Sequence, residues 1–404
     1  MNAIVVGSGA GGGTVAKELA KAGISVTIIE KGPSINVKKA YMQYNIQNVG
    51  TEISNIVCLG GTTLVTLGNA VRTSEKLFKS IGIDLSLEFK EIDRELCINT
   101  LPDSHFGNGT KKIMRSTKFI GFEIEKMPKF IDPNLCKPCG NCAMGCPKDA
   151  KWTSMEFIEE AEKYGAKIIE NTPVTDIIVS DGKVKGVKSD DKIFEADIVI
   201  LAAGAIETPR LLQKIGINAG NNLFVDTFVT IGGMLKNIKF NKELQMNVLI
   251  KFDDFLIGPH FSEILVNKLQ KFKVQKKDVL GLMIMIKDEP SGKVTPNEVI
   301  KFNSAEDVAL LAEGSAIAGS ILTEAGVDPK TLVSTYARGA HLGGTAAIGD
   351  VVDVNLQTEI KGLYVTDASV FPEAPGAPPI LTIIALAKRL VKHIVKENLN
   401  LKVI

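Results

Sequence analysis

The sequence predicts an α/β fold in two unequal parts, a Rossmann-like half on a parallel sheet and a smaller lobe with an antiparallel sheet. Three observations carry this. An apolar run at residues 3–6 leads into Gly7-x-Gly9-x-x-Gly12, then into a helical pattern that stops at Gly23 and a second apolar strand ending on Glu30. Over residues 221–334 the pattern changes to apolar–polar alternation with one alanine-rich helix, as an antiparallel lobe requires. Between them, four of the six cysteines crowd into residues 136–146, which predicts a cysteine-rich loop inserted in the first half.

The opening stretch has the strand–turn–helix–strand context in which a glycine fingerprint carries meaning. Gly7 allows the tight turn, Gly9 lets backbone approach a pyrophosphate, and Gly12 lets helix and strand pack closely. The phosphates then lie at the positive end of the helix. Glu30 follows about 20 residues on, where an acid hydrogen-bonds an adenosine ribose. This stretch alone leaves NAD and FAD both open.

Bulk properties exclude several classes. Hydrophobic residues make up 45% and charged residues 23%, as in ordinary globular proteins, and the formal net charge of +1 favours neither nucleic acid nor an anionic membrane. The first strand starts at the third residue, so no cleavable leader is expected. No apolar run approaches the ~20 residues that span a bilayer. A cytoplasmic protein is the resulting expectation.

Further along, Gly60-Gly61-Thr62-Thr63 with Asn69 reads as backbone approaching a ligand. Residues 85–126 read as helical with a break at Leu101-Pro102-Asp103, and Cys97 there as a structural core cysteine. A helix starts near Thr153 or Ser154 and ends at Gly165. Strands follow at 167–170, 174–179 and 183–188, the last two joined by an Asp181-Gly182 turn. Residues 196–203 form a buried strand, followed by a helix carrying Thr208-Pro209-Arg210. In the lobe, alternation marks 246–252 and 282–286, and 305–325 is helical. His260 reads as incidental rather than as a pocket residue. Residues 380–396 form a long C-terminal helix.

The spacing of Cys136, Cys139, Cys142 and Cys146-Pro147 is C-x2-C-x2-C-x3-C-P, that of bacterial ferredoxin iron–sulfur ligation. Zinc is the main alternative. With no second run, either Cys146 closes a [4Fe–4S] cluster, which is preferred, or three thiolates hold [3Fe–4S]. A cluster beside a flavin converts a two-electron hydride into single electrons.

Four segments in order resemble the glucose–methanol–choline (GMC) oxidoreductase family, and in particular its iron–sulfur-containing FAD-dependent dehydrogenases. They are residues 7–30, 60–63 and 202–212, and then His341-Leu-Gly-Gly-Thr345 continuing through Asp367-Ala-Ser-Val-Phe-Pro372 to Leu381-Thr382. The resemblance implies resident FAD. Gly7, Gly9, Gly12 and Glu30 would hold its ADP part, and Gly60, Gly61, Thr62 and Asn69 would run along the pyrophosphate and flavin. Val174 would lie near the adenine, Asp367, Ala368 and Thr382 near the phosphates and isoalloxazine, and Gly204 would be a further cofactor-binding residue. It implies an FAD-binding domain at 1–220, with the iron–sulfur loop at 130–150, a substrate lobe at 221–334, and completion of the FAD domain at 335–404. His341 would be the base that takes a hydroxyl proton while hydride passes to the flavin. Where the family places a second polar partner, this chain has Pro378, which has neither side-chain donor nor N–H.

The expected function is thus a GMC-type dehydrogenase oxidising a CH–OH substrate, with electrons leaving through the cluster to a ferredoxin-like carrier or redox subunit. Two alternatives stand beside it. One is the same machinery run as a carbonyl or alkene reductase; the other is an electron-transfer subunit of a larger complex.

Overall fold

Five parallel strands form the central sheet of the computed structural model, which describes residues 1–401. Their order is Leu363–Val365, Ile198–Leu201, Asn2–Val6, Ser25–Ile29, Lys167–Ile169, and each neighbouring pair is parallel. Asn2–Val6 is the central strand. Residues 3–6 are all buried, which is why the segment reads as a continuous apolar run rather than an alternation. Helix Ala10–Lys21 packs against both Ser154–Lys163 and Ile380–Leu401. A three-stranded antiparallel sheet, Asp176–Ser180, Lys183–Ser189 and Lys192–Glu195, joins the same half and touches the Ile198–Leu201 strand. Its first hairpin turns through Asp181 and Gly182, both at positive φ, as the expected two-residue turn requires.

The second sheet has nine strands and is mixed. Its path runs Tyr44–Asn48, Glu52–Ile56, Arg338–Gly339, Phe228–Met234, Val279–Ile286, Phe255–Pro259, Val248–Lys251, Glu125–Lys126, with Val333–Ser334 also on Phe228–Met234. Only Glu52–Ile56 against Arg338–Gly339 is parallel. This sheet therefore draws strands from residues 44–56, 125–126 and 338–339 as well as from 221–334. The buried strand Val279–Ile286 shows how it is covered. Leu280, Leu282, Ile284 and Ile286 face a cluster that includes Leu311, Ile321 and Leu322 of helix Ala305–Glu324. Met283 and Met285, on the alternate positions, join a separate cluster with Phe228, Met246 and Met127.

Helices Ser86–Glu95 and Asn108–Phe119 flank the expected break at Pro102. Helix Ser154–Lys163 opens on a capping box between Thr153 and Glu156. Cys97 corrects the sequence reading. It is exposed, at φ 48° just past the first of these helices, so it ends a turn instead of filling the core. Among the described residues, no helix is long and apolar enough to cross a membrane.

Candidate functional site

The glycine turn folds as a cradle held from behind. A Cβ on Gly7 would stand 2.4 Å from the Ala202 carbonyl oxygen, and one on Gly12 would stand 2.0 Å from the Gly7 oxygen. Those glycines are required by the turn itself. A Cβ on Gly9 or Gly204 would meet nothing within 4 Å, so both look out on open space. Ser8 ties three segments together: its hydroxyl donates to Glu30 Oε2 at 2.6 Å and accepts from the Gly60 N–H at 2.9 Å. Glu30 also accepts the N–H groups of Ser8 (3.0 Å) and Gly32 (2.8 Å), while burial pushes its carboxyl above the usual range. Ser154 Oγ donates to the carbonyls of Ser8 (2.8 Å) and Gly9 (2.9 Å) from the next helix. Neither serine had a motif to mark it.

Of the other expected residues, some abut this cradle and some are engaged elsewhere. A Cβ on Gly61 would sit 3.2 Å from Gly9 Cα, so the Gly60–Gly61 turn abuts the pyrophosphate turn. Thr62 Oγ1 accepts weakly from Ile56 N at 3.4 Å, and Val174 is half-buried just before its strand. Asp367 is spent on structure. It accepts Gly204 N (2.8 Å), Thr208 Oγ1 (2.7 Å) and Ser369 N (2.8 Å), fixing the helix start at Gly204 against the Ala368 turn. Thr382 is spent too, its buried hydroxyl engaging Thr73 N, O and Oγ1 at 3.0–3.1 Å. Beside this region Thr366 Oγ1 is buried without a partner. Open space before Gly9 and Gly204, with an orphan hydroxyl at the carboxyl end of the sheet, fits a dinucleotide lying across the strand ends.

His341 lies just past strand Arg338–Gly339 of the second sheet, its N–H donating to Val225 O at 3.2 Å. Its Nδ1 is 3.1 Å from Asp226 Oδ2, and Asp226 is fully buried at φ 48°. The other carboxylate oxygen accepts Gly376 N at 2.9 Å. Burial pushes the Asp226 carboxyl up to about 6 against the opposing pull of His341. A carboxylate can only accept, so Nδ1 carries the proton and Nε2 is left as the basic nitrogen. Two residues on, Gly343 approaches the Ala368 carbonyl so closely that a Cβ would stand 2.6 Å from it. Ala340, Ala377 and Leu67 pack on the methionine-bearing cluster of the second sheet. Pro378 is buried in the same turn, and the nearby Gly376 N–H goes to Asp226. His260 meets Phe228 edge-on, ring centroids 6.4 Å apart, with its Nδ1 2.9 Å from Thr230 Oγ1; burial, helped by Arg338, holds its imidazole down at about 3.

The cysteine run is a closed loop. Asp132 N bonds Ala150 O at 2.8 Å and Trp152 N bonds Phe130 O at 3.0 Å, making a two-stranded stem. Gly140 and Gly145, at φ 78° and 100°, turn the chain inside it. Cys136, Cys139, Cys142 and Cys146 all line one narrow pocket of about 20 Å³, and the Ala150 N–H points at Cys146 Sγ from 3.4 Å. Yet among the described residues no three His, Cys, Asp or Glu side chains stand together as a metal-ligating group. The expected ligand set is thus brought to one pocket but not closed on a centre. Burial and then the three other thiols push Cys136 up to about 12, a mutual repulsion that a cation would reverse. Two fully buried lysines stand behind the loop, Lys129 pushed down to about 7 and Lys151 to about 8, burial being the main cause for both.

Comparison with known proteins agrees with this architecture. The amino-terminal model of the GMC oxidoreductases matches residues 1–237, and the carboxy-terminal model matches 287–387. An uncharacterized protein of Methanocaldococcus jannaschii is 39% identical over 96% of this chain and 98% of its own length. A long-chain-alcohol oxidase of Arabidopsis thaliana is 22% identical over 96% of this chain and 67% of its own. The solved pyridoxine 4-oxidase from Mesorbium loti superimposes with a TM-score of 0.76 at 14% identity, over 97% of this chain and 98% of that one. GMC proteins are FAD oxidoreductases acting on CH–OH donors such as alcohols. The chain belongs to the GMC oxidoreductase family.

Proposed function

We propose that the chain is an FAD-dependent dehydrogenase that oxidises an alcohol with an apolar body, with His341 as its base. The observation that carries this is the His341–Asp226 pair, 3.1 Å apart and tied through Gly376 to the turn before the last helix. Bound FAD would supply the acceptor for the carbinol hydride. Its ADP part would rest on Gly7, Gly9, Gly12 and Glu30, and its flavin end between Gly60, Gly61, Thr62, Asn69 and the Ala368 turn. Val174 and Gly204 would flank the adenine and phosphate portions. Asp367 and Thr382 would act by holding backbone in place, since their side chains are already bonded.

Asp226 keeps the proton on Nδ1, so Nε2 can take the substrate hydroxyl proton as the hydride leaves, and a carbonyl results. Asp226 thereby supplies part of the order that a second polar group at Pro378 would have given. The cluster of Phe228, Met246, Met283 and Met285 offers a soft, adaptable wall for an apolar chain. A relative named for long-chain alcohols supports the same choice. The four cysteines are proposed to hold an iron–sulfur cluster that passes single electrons to a ferredoxin-like carrier, which favours a dehydrogenase over an oxidase. The domain limits 1–220, 221–334 and 335–404 remain the working division, with the proviso that the second sheet crosses them.

Anaerobic mixing of the purified holoprotein with aliphatic alcohols tests the reading. Flavin bleaching is expected, slowed roughly 10²–10⁴-fold in His341→Ala. If alcohols leave the flavin oxidised while ketones or alkenes re-oxidise the reduced protein, the reductive direction replaces it. Pro378, buried and without a donor, is the feature that keeps that direction in view.

A further inference from the structure

Lys129 and Lys151 bracket the cysteine run, and their side chains are 0% and 3% exposed. A lone buried ammonium is costly unless an opposite charge lies near. Neither meets a carboxylate among the described residues. Lys129 Nζ donates to Leu67 O (2.9 Å), Asn69 Oδ1 (2.5 Å) and Gln245 O (3.0 Å). Lys151 Nζ donates to Thr66 O (2.7 Å), Leu64 O (3.0 Å) and Cys142 O (3.3 Å). Their bonds fall on two segments at once. One is residues 63–69, which also carries Asn69; the other is Cys142 of the cysteine loop for Lys151 and the turn at Gln245 for Lys129.

An ammonium only donates, so Asn69 must turn its oxygen to Lys129 and its NH2 away. Lys151 thus pins the segment proposed to line the flavin to the loop proposed to hold the cluster, and Lys129, at the foot of the loop's stem, holds Leu67 and Asn69 of the same segment. The anionic groups nearest in chemistry are the four cysteines, which become thiolates when they bind metal. A thiolate-ligated iron–sulfur cluster is a net anion, more so when reduced.

We propose that Lys129 and Lys151 are the buried counter-charges of a cluster held by Cys136, Cys139, Cys142 and Cys146, and that they raise its reduction potential. This rests on the cluster reading given above. Each ammonium favours the reduced, more negative state, so its removal must make the cluster harder to reduce. Lys137, which lines the same pocket but is exposed, is screened by water and should matter little.

The test is a potentiometric titration, followed by EPR, of anaerobically prepared wild-type protein and of Lys129→Met, Lys151→Met and Lys137→Met. Iron and acid-labile sulfide are assayed on each. Either buried-site variant should shift the reduced-to-oxidised ratio at fixed potential at least tenfold toward oxidised, a fall of 59 mV for one electron. Lys137→Met should shift it less. Wild-type protein without iron and sulfide, or with zinc instead, removes the cluster and this assignment with it. A loaded cluster whose potential does not move in either variant overturns the assignment alone. So does loss of folding in both variants when the metal-free proteins are compared by circular dichroism, since the lysines would then serve only the chain.

Discussion

Lys301 and Lys129 are both 0% exposed, yet their ammoniums are answered in different ways. Lys301 Nζ lies 2.8 Å from Asp288 and 3.9 Å from Asp307, inside the lobe. Lys17, on the buried face of helix Ala10–Lys21, likewise meets Glu18 at 3.4 Å and Glu160 at 3.7 Å, and also Glu95. Lys129 and Lys151 meet only neutral oxygens. The first kind closes its charge within the chain and belongs to the fold. The second has no acid of its own, and burial pushes Lys129 down to about 7 and Lys151 to about 8, so their positive charge is held by an anion that binds beside them. Buried charge in this molecule therefore sorts by its partners, not by its depth.

Three substitutions sharpen or break that division. Lys301→Met strands Asp288, which still accepts Val225 N and Thr227 N but loses its cation. It should cost about 3–5 kcal/mol in urea unfolding of the holoprotein; a cost under ~1 kcal/mol would put Lys301 in the same class as an exposed pair. Asp226→Asn tests the histidine-answered acid. It should slow flavin reduction by alcohol roughly 10²-fold while unfolding barely changes. Because burial raises Asp226 to about 6, the wild-type rate should fall as pH drops through that value, when the carboxyl protonates and stops accepting the Nδ1 proton. The variant should lack that limb in stopped-flow traces. Glu243 is the mirror case, a buried acid answered only by N–H and O–H donors at the start of helix Asn108–Phe119, with Gly109 N at 2.7 Å and Thr110 N at 3.0 Å. Glu243→Gln should cost about 1 kcal/mol, seen as a small drop in thermal midpoint.

What could be read from the sequence was what is local. Gly7, Gly9 and Gly12 announce a turn because backbone sterics act over a few residues, and the cysteine spacing announces a loop for the same reason. The Asp226–His341 bond spans 115 residues, and Asp226 sits in a left-handed conformation that its Val225-Asp226-Thr227 setting does not signal. Cys97 misled because apolar neighbours at helical spacing do not reveal where a helix ends. The resemblance singled out Thr382 and Asp367, but the sequence could not show that their oxygens are already engaged within the chain. The lysines did leave a trace: each interrupts an apolar stretch, Met127-Pro-Lys129-Phe130-Ile131 and Ala150-Lys151-Trp152. A charge among buried aromatics on both sides of a cysteine run is a pattern worth reading.

The strand order of the parallel sheet has a consequence for synthesis. Asn2–Val6 is flanked by Ser25–Ile29, made soon after it, and by Ile198–Leu201, made far later; the sheet is complete only with Leu363–Val365. At ribosomal speeds of about 5–20 residues per second, the earliest strand waits on the order of tens of seconds for the last. Its own second edge is filled earlier, by Ile198–Leu201, so residues 3–6 lack that partner for about the first half of that interval, although they are buried in the finished molecule. The nascent chain must keep this apolar segment from pairing with a neighbour's until residues 198–201 emerge, so the glycine cradle becomes whole only after Ala202, which backs Gly7, has joined it.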